Sequence, residues 1–310
     1  MRLLRFFADD GVHLGLRQEQ EVFDITLAAR SQWKEEITSP VRFLAVEPAA
    51  RRTLLEDPPG ASGPPVQFLR PMASLHLDAP LRDCPKLLAL AGNFRRHVVE
   101  SGFQDIEPGA QVTPQVFWKP PSTGISAPGV PISIRSNNVF VDWELELAVV
   151  IARRARDVSP GQAMDIVLGY TILNDISERQ FNSRMSNRQV RENDPFFDWL
   201  MGKWFDGFAP LGPELVTRDE IPDPHNLSMR LWVNDRLMQE GHTSQMIFGV
   251  PETIGYISSV LTLEPGDIIS MGTPEGVGMA RGVKLEPGDR LRGEIQGIGV
   301  LENFVQSAAA

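Results

Sequence analysis

Val141-Asp142-Trp143-Glu144-Leu145-Glu146-Leu147-Ala148-Val149-Val150-Ile151 is the stretch on which the reading of this chain turns. Its apolar content and β-branched end mark a strand, and a strand sends successive side chains to opposite faces. Val141, Trp143, Leu145, Leu147, Val149 and Ile151 fall on one face. Asp142, Glu144 and Glu146 fall on the other, which turns apolar at Ala148 and Val150. The two glutamates therefore stand at the margin of a buried surface, where unpaired like charges are costly. A lone Glu-x-Glu more often decorates a solvated strand face, but the apolar flanks here call for a positive partner between the carboxylates.

A second apolar strand, Val167-Leu168-Gly169-Tyr170-Thr171-Ile172-Leu173-Asn174, runs into Asp175. An aspartate there can cap a helix or form a turn. Combined with Glu144 and Glu146, it completes an all-oxygen triad. Such a donor set selects hard cations, Mg²⁺ first with Mn²⁺ or Ca²⁺ as alternatives, and disfavours zinc.

Outward from these strands the chain is mixed α+β, rich in β, without regular βαβ alternation. Leu263-Glu264-Pro265-Gly266-Asp267 and Leu285-Glu286-Pro287-Gly288-Asp289 repeat one pentapeptide, and Pro-Gly suits the centre of a type II turn. Asn234-Asp235 between two apolar runs predicts a hairpin. Val250, Ile254, Ile257 and Leu261 behind Pro251 predict an amphipathic helix. Ser159-Pro160-Gly161-Gln162 carries a capping-box pattern and opens a short helix. Residues 1–80 read as a small β-rich N-terminal domain with one helical stretch, closed by the Pro- and Gly-rich run 57–65. Residues 81–310 hold every segment that looks chemical.

Composition sets limits on function. A chain of 310 residues with a formal net charge of -10 opposes a nucleic-acid partner, which needs clustered Lys and Arg. The single cysteine, Cys84, permits neither an internal disulfide nor a thiolate metal site. No apolar run approaches the ~18 residues that a membrane helix needs, and acidic residues follow the N-terminus closely. A soluble, cytoplasmic protein is the expectation.

Several segments, in this order and spacing, resemble the fumarylacetoacetate hydrolase family. They are Gly92-Asn93-Phe94-Arg95-Arg96-His97-Val98-Val99-Glu100, Phe117-Trp118-Lys119-Pro120, residues 142–150 and 169–179, Gly202-Lys203-Trp204-Phe205-Asp206, and Gly272-Thr273-Pro274-Glu275-Gly276-Val277-Gly278. The resemblance spans nearly all of residues 87–305. It implies the family's mixed β-sandwich roll for 81–310 as a catalytic domain, a homodimer, and metal ligation by Glu144, Glu146 and Asp175. Some relatives place a fourth carboxylate before the catalytic histidine; here that region reads Leu88-Ala89-Leu90-Ala91, so three protein ligands are expected.

His97 and Glu100 share one face of a helical turn, so the carboxylate can orient the imidazole. In similar proteins such a pair activates water. Lys119 and Lys203 stand in apolar or aromatic surroundings, where an ammonium needs an anion. By the resemblance, Lys203 is catalytic, and Lys119, Arg179, Asn182, Gly272 and Thr273 bind substrate. At Asn182 many relatives carry Gln. The segment 182–194 should rim the pocket, and its arginines could read a second carboxylate or stay solvated.

The activity implied is metal-dependent hydrolysis of a C–C bond in a small 2,4-dioxo acid, of acylpyruvate or fumarylpyruvate type, through a metal-bound enolate. The same site suits an oxaloacetate-type decarboxylase or an oxo-enol isomerase. A catalytically silent oxo-acid-binding relative is the competing reading of another class, and intact His97, Glu100 and Lys203 speak against it.

Overall fold

A computed structural model describes residues 1–29, 33, 35–56, 65–105, 111–184 and 187–308. Most of the run 57–65, read above as a boundary, therefore lies outside the described residues. The architecture is α+β and strand-rich. Among the described residues, a twelve-stranded mixed sheet holds twelve of the nineteen strands, a five-stranded sheet packs beside it, and a two-stranded ladder stands apart.

The stretch 141–151 is not one strand. Val141–Asp142 pairs with Ser177–Glu178, while Leu145–Ile151 pairs with Val167–Asn174 in the large sheet. Trp143 and Glu144 lie in the break between them. The interruption has a local cause: Asn174 Oδ1 accepts from the Glu144 N–H at 2.9 Å, and Asp175 N–H donates to the Glu144 carbonyl at 2.8 Å. The predicted alternation survives the break. Val141, Trp143, Leu145, Leu147, Val149 and Ile151 all enter the main hydrophobic core, whereas Ala148 and Val150 enter a second core on the opposite face.

The repeated pentapeptides form matching turns. Gly266 and Gly288 have φ of +86° and +101°, which only glycine adopts without strain. In each, the closing aspartate accepts from the glutamate N–H at 2.7 Å, and the strands Ile268–Ser270 and Arg290–Ile295 follow. The hairpin joins Ser228–Val233 to Arg236–His242 through left-handed Asn234 and Asp235. The helix Val250–Val260 buries Val250, Ile254 and Ile257. Pro160–Ala163 is helical, but Ser159 does not cap it; its hydroxyl bonds the Gln162 side chain at 2.9 Å instead.

The N-terminal strands Arg2–Ala8, Gly11–Gln18 and Glu21–Asp24 extend the large sheet, because Arg2 and Leu3 pair with Val216 and Leu215. Three short helices, Ile25–Ala29, Pro40–Ala45 and Pro48–Glu56, stand where one was expected. They help enclose a separate core containing Leu3, Phe23 and Phe43. No helix among the described residues is long and apolar enough to cross a membrane.

Candidate metal centre and active site

Glu144 in the strand break, Glu146 two residues on, and Asp175 just past Val167–Asn174 converge, with ligand oxygens all within 4.8 Å of one another. The register explains this. Glu146 sits opposite Leu173, so Asp175 and Glu144 meet one step beyond the end of the same antiparallel ladder. All three carboxylates are buried.

Cations compensate two of them directly. Lys203 Nζ, at the C-terminal end of the helix Asp194–Gly202, donates to Glu144 Oε2 at 2.6 Å and Asp175 Oδ2 at 2.7 Å. Lys119 Nζ donates to the other Asp175 oxygen and, at 2.7 Å, to the Lys203 carbonyl. Arg179 grips Asp142 at 2.8 Å through Nε and Glu144 through Nη2. Among the described residues, no cation lies within ion-pair distance of Glu146. Its Oε2 accepts from Ser270 Oγ at 2.5 Å and Gly272 N at 3.0 Å, while Oε1 takes no hydrogen bond among the described residues.

The protonation balance follows. Burial works against the Glu144 charge, but Arg179, Lys203 and His97 outweigh it and hold this carboxyl below the ordinary glutamate range. Burial, with Asp175 and Glu144 alongside, pushes Glu146 well above that range. Burial also lifts Asp142 to about 6 against the pull of Arg179. Desolvation lowers Lys119 despite Asp175, whereas Asp175 and Glu144 overcome burial and hold Lys203 above its ordinary value. Three converging hard oxygens, one short of positive charge, suit a divalent cation.

Opposite the carboxylates, the short helix Arg95–Glu100 presents His97. Its Nδ1 lies 2.9 Å from Glu100 Oε1, and Gly276 N–H donates to both Glu100 oxygens at 3.0 and 2.9 Å. Nε2 takes no hydrogen bond among the described residues. His97, Glu100, Glu144, Glu146, Lys203 and Thr273 line one pocket of about 1010 Å³.

The loop after Ile268–Ser270 supplies backbone donors to the protein's own carboxylates: Gly272 serves Glu146 and Gly276 serves Glu100. Thr273 Oγ1 donates to the Leu145 carbonyl at 3.0 Å and accepts from Gln239. Lys119 is fully buried behind Asp175 rather than on the pocket wall. Arg179 lines the pocket but is committed to Asp142 and Glu144. Asn182 is exposed on the turn Phe181–Arg184, its side chain in solvent rather than on the pocket wall. Met185, Ser186 and the Arg184 side chain lie outside the described residues. Arg188 pairs with Asp194 and Asp198, and Arg191 with Asp194, so neither faces the pocket.

Three supports went unread in the sequence. Gln239 joins the Leu145 N–H (3.0 Å), Thr273 Oγ1 (2.8 Å) and the Pro274 carbonyl (2.8 Å). Asn93 ties the helix Arg95–Glu100 to Met271 and Phe248. Glu178 accepts from Val139, Phe140 and Gln180 N–H and from Asn138, fixing the ladder beside Arg179. The one available signal was a polar residue in an apolar run, which Gln239 provides after Leu237-Met238.

Residues 86–306 match the family described as "Fumarylacetoacetate (FAA) hydrolase C-terminal". The chain belongs to the fumarylacetoacetate hydrolase family. Members of this family are enzymes with hydrolase, isomerase or decarboxylase activity. A mitochondrial oxaloacetate tautomerase of Xenopus laevis is 38% identical over 241 residues, 77% of this chain and 71% of that protein. Maleylpyruvate hydrolase from Sphingobium sp. SYK-6, solved with manganese(II) and pyruvate, has a TM-score of 0.73 at 30% identity, covering 100% of both chains. The 2-hydroxyhepta-2,4-diene-1,7-dioate isomerase of Mycobacterium marinum has a TM-score of 0.72 at 31% identity, again over 100% of both.

Proposed function

We propose that this family member is a divalent-metal-dependent hydrolase that cleaves a C–C bond in a small 2,4-dioxo acid. The observation that carries the reading is the Gly276–Glu100–His97 relay, which opens an imidazole nitrogen into the pocket lined by Glu144 and Glu146 of the carboxylate triad. Glu144, Glu146 and Asp175 would hold the cation, with Mg²⁺ favoured and Mn²⁺ or Ca²⁺ as alternatives. When bound, it supplies Lewis-acid polarisation of the substrate's oxo oxygens.

The protein's own groups do the rest. Glu100, fixed by Gly276, orients the imidazole and stabilises its positive charge. His97 Nε2 removes a proton from water as the oxygen attacks the 4-oxo carbon. The C3–C4 bond breaks, its electron pair passes to the three-carbon fragment as an enolate, and proton return to C3 gives pyruvate and a carboxylic acid. Lys203, beside Glu144 and Asp175, keeps positive charge near the developing anion.

A second reading has its own support in the tautomerase relative: His97 would move a proton between carbon and oxygen without hydrolysis. Against it, a pocket of about 1010 Å³ is far roomier than a four-carbon acid requires. Pyruvate release from acylpyruvates and enol–keto exchange of oxaloacetate, measured with wild type and His97→Gln, separate the two. Pyruvate release that His97→Gln lowers at least a hundredfold, and that chelation abolishes, supports hydrolysis; exchange without pyruvate release overturns it. The same reading takes the protein as a cytoplasmic homodimer, supported by exposed Trp118, Phe197 and Trp204, and sedimentation velocity tests the dimer.

A further inference from the structure

The pocket is chemically lopsided. One end holds the carboxylates; the wall that adjoins them is aromatic. Phe117 and Trp199 meet edge to face at 4.9 Å between ring centroids, and Phe196 stacks on Trp199 at 6.1 Å. The Lys203 ammonium that touches Glu144 lies 5.4 Å from the Phe117 ring and 5.8 Å from the Trp199 ring. The aromatic surface thus begins where the carboxylate cluster ends, and Val112, Phe103 and Met279 continue the apolar lining.

Positive charge at this wall is already spent. The side chains able to carry positive charge among the described pocket residues are His97, Arg179 and Lys203. Arg179 serves Asp142 and Glu144, Lys203 serves Glu144 and Asp175, and His97 serves Glu100. On the segment 182–194, Arg188 and Arg191 are tied to Asp194 and Asp198, and the Arg184 side chain lies outside the described residues; Arg281 follows the pocket-lining Met279 and Ala280 but is not itself part of the wall. A second substrate carboxylate reaching this wall meets aromatic faces and no free cation among the described pocket residues, so it gives up water for no counterion. An aryl or branched alkyl group there gains apolar burial and ring contact.

Building on the hydrolase reading, we infer that the substrate's distal group is apolar, an aromatic or bulky aliphatic acyl group, and that Phe117, Phe196 and Trp199 select it. This differs from the dicarboxylates named for the Mycobacterium isomerase.

Binding tests the inference independently of turnover. The Mn²⁺-loaded protein is titrated calorimetrically with 2-oxo-4-phenylbutanoate and with 2-oxoglutarate or 2-oxoadipate, which share the 2-oxo-acid head but end in a ring or a carboxylate. The phenyl acid is expected to bind at least tenfold more tightly. Phe196→Arg, on an exposed position, should bring a dicarboxylate to parity or better, and Trp199→Ala should erase most of the phenyl advantage. Equal or tighter binding of the dicarboxylates by wild type overturns the inference. Kinetic assay of 2,4-dioxo-4-phenylbutanoate and fumarylpyruvate then separates the two claims. Preferred turnover of the dicarboxylate sinks the apolar preference alone, whereas failure to release pyruvate from either, with the phenyl acid still bound more tightly, sinks the hydrolase reading alone.

Discussion

Asp175 is the residue on which the site's charge balance rests, because both buried lysines donate to it. Removing one partner of a buried ion pair leaves the other charge without compensation, which costs about 3–5 kcal/mol. Asp175→Asn is therefore expected to destabilise the protein by about 3 kcal/mol in urea denaturation, and a double variant that also carries Lys119→Met should recover part of that loss. A fully stable single variant would show that the lysines do not depend on this carboxylate. Glu146 and Asp142 make a second, opposite demand. Burial raises both above their ordinary values of 4.5 and 3.8, Asp142 to about 6. The metal-free fold therefore holds protons that the unfolded chain has lost, and stability falls as pH rises wherever the folded state binds more protons. The contribution of these two groups is fully present below pH of about 4 and is lost in chelator-treated protein as pH climbs through about 6 and beyond, while added Mn²⁺ should reverse the loss and release a proton on binding. Urea midpoints at pH 5 and 8, with and without Mn²⁺, read this directly, and a metal-free stability that grows over that interval would contradict it.

At the scale of elements, the sequence made visible what depends on periodicity and local turn chemistry. The split of Val141 to Ile151 into two faces, the paired Pro-Gly turns and the Asn234-Asp235 hairpin all rest on local rules, and all three hold. The break at Trp143 and Glu144 was not legible, because the group that makes it, the Asn174 side chain, arrives from another strand. For the same reason the sequence shows which carboxylates converge but not what orients them: the resemblance implies substrate contact for Arg179, and nothing local announces that this pocket-lining guanidinium also holds Asp142 and Glu144. Gln239 is the strongest such cross-strand device. It reaches from Arg236–His242 to the backbone between the two glutamates and to the loop that carries Gly272 and Thr273. Gln239→Leu leaves the buried Leu145 N–H and Pro274 carbonyl without their partner, at a cost of about 1–3 kcal/mol. Mn²⁺ affinity should fall about tenfold, the usual scale for groups that orient ligands without touching the ion. Titration followed by electron paramagnetic resonance measures it; unchanged affinity would make Gln239 a packing residue only.

The whole molecule raises the question of where the enzyme ends. The family match begins at residue 86, yet the large sheet does not stop there, because Arg2–Ala8 hydrogen-bonds to the edge of Ala209–Thr217. That strand is buried along its full length and carries Glu214, which is fully inaccessible and accepts from Arg2 at 2.8 Å and Arg17 at 3.1 Å. A chain beginning at residue 81 would lose both arginines and uncover part of a long apolar strand. An uncompensated buried carboxylate costs about 3–5 kcal/mol, and an uncovered strand edge invites intermolecular pairing. Such a truncated chain is therefore expected to aggregate or to unfold well below the full-length protein, and Glu214→Gln should restore part of its solubility by removing the stranded charge. Size-exclusion chromatography and thermal unfolding of the two chains decide the matter. A monodisperse truncated protein with full-length metal affinity would instead make residues 1–80 an independent appendage. The ion-pair geometry argues for dependence, since the only cations that meet Glu214 among the described residues come from the N-terminal strands.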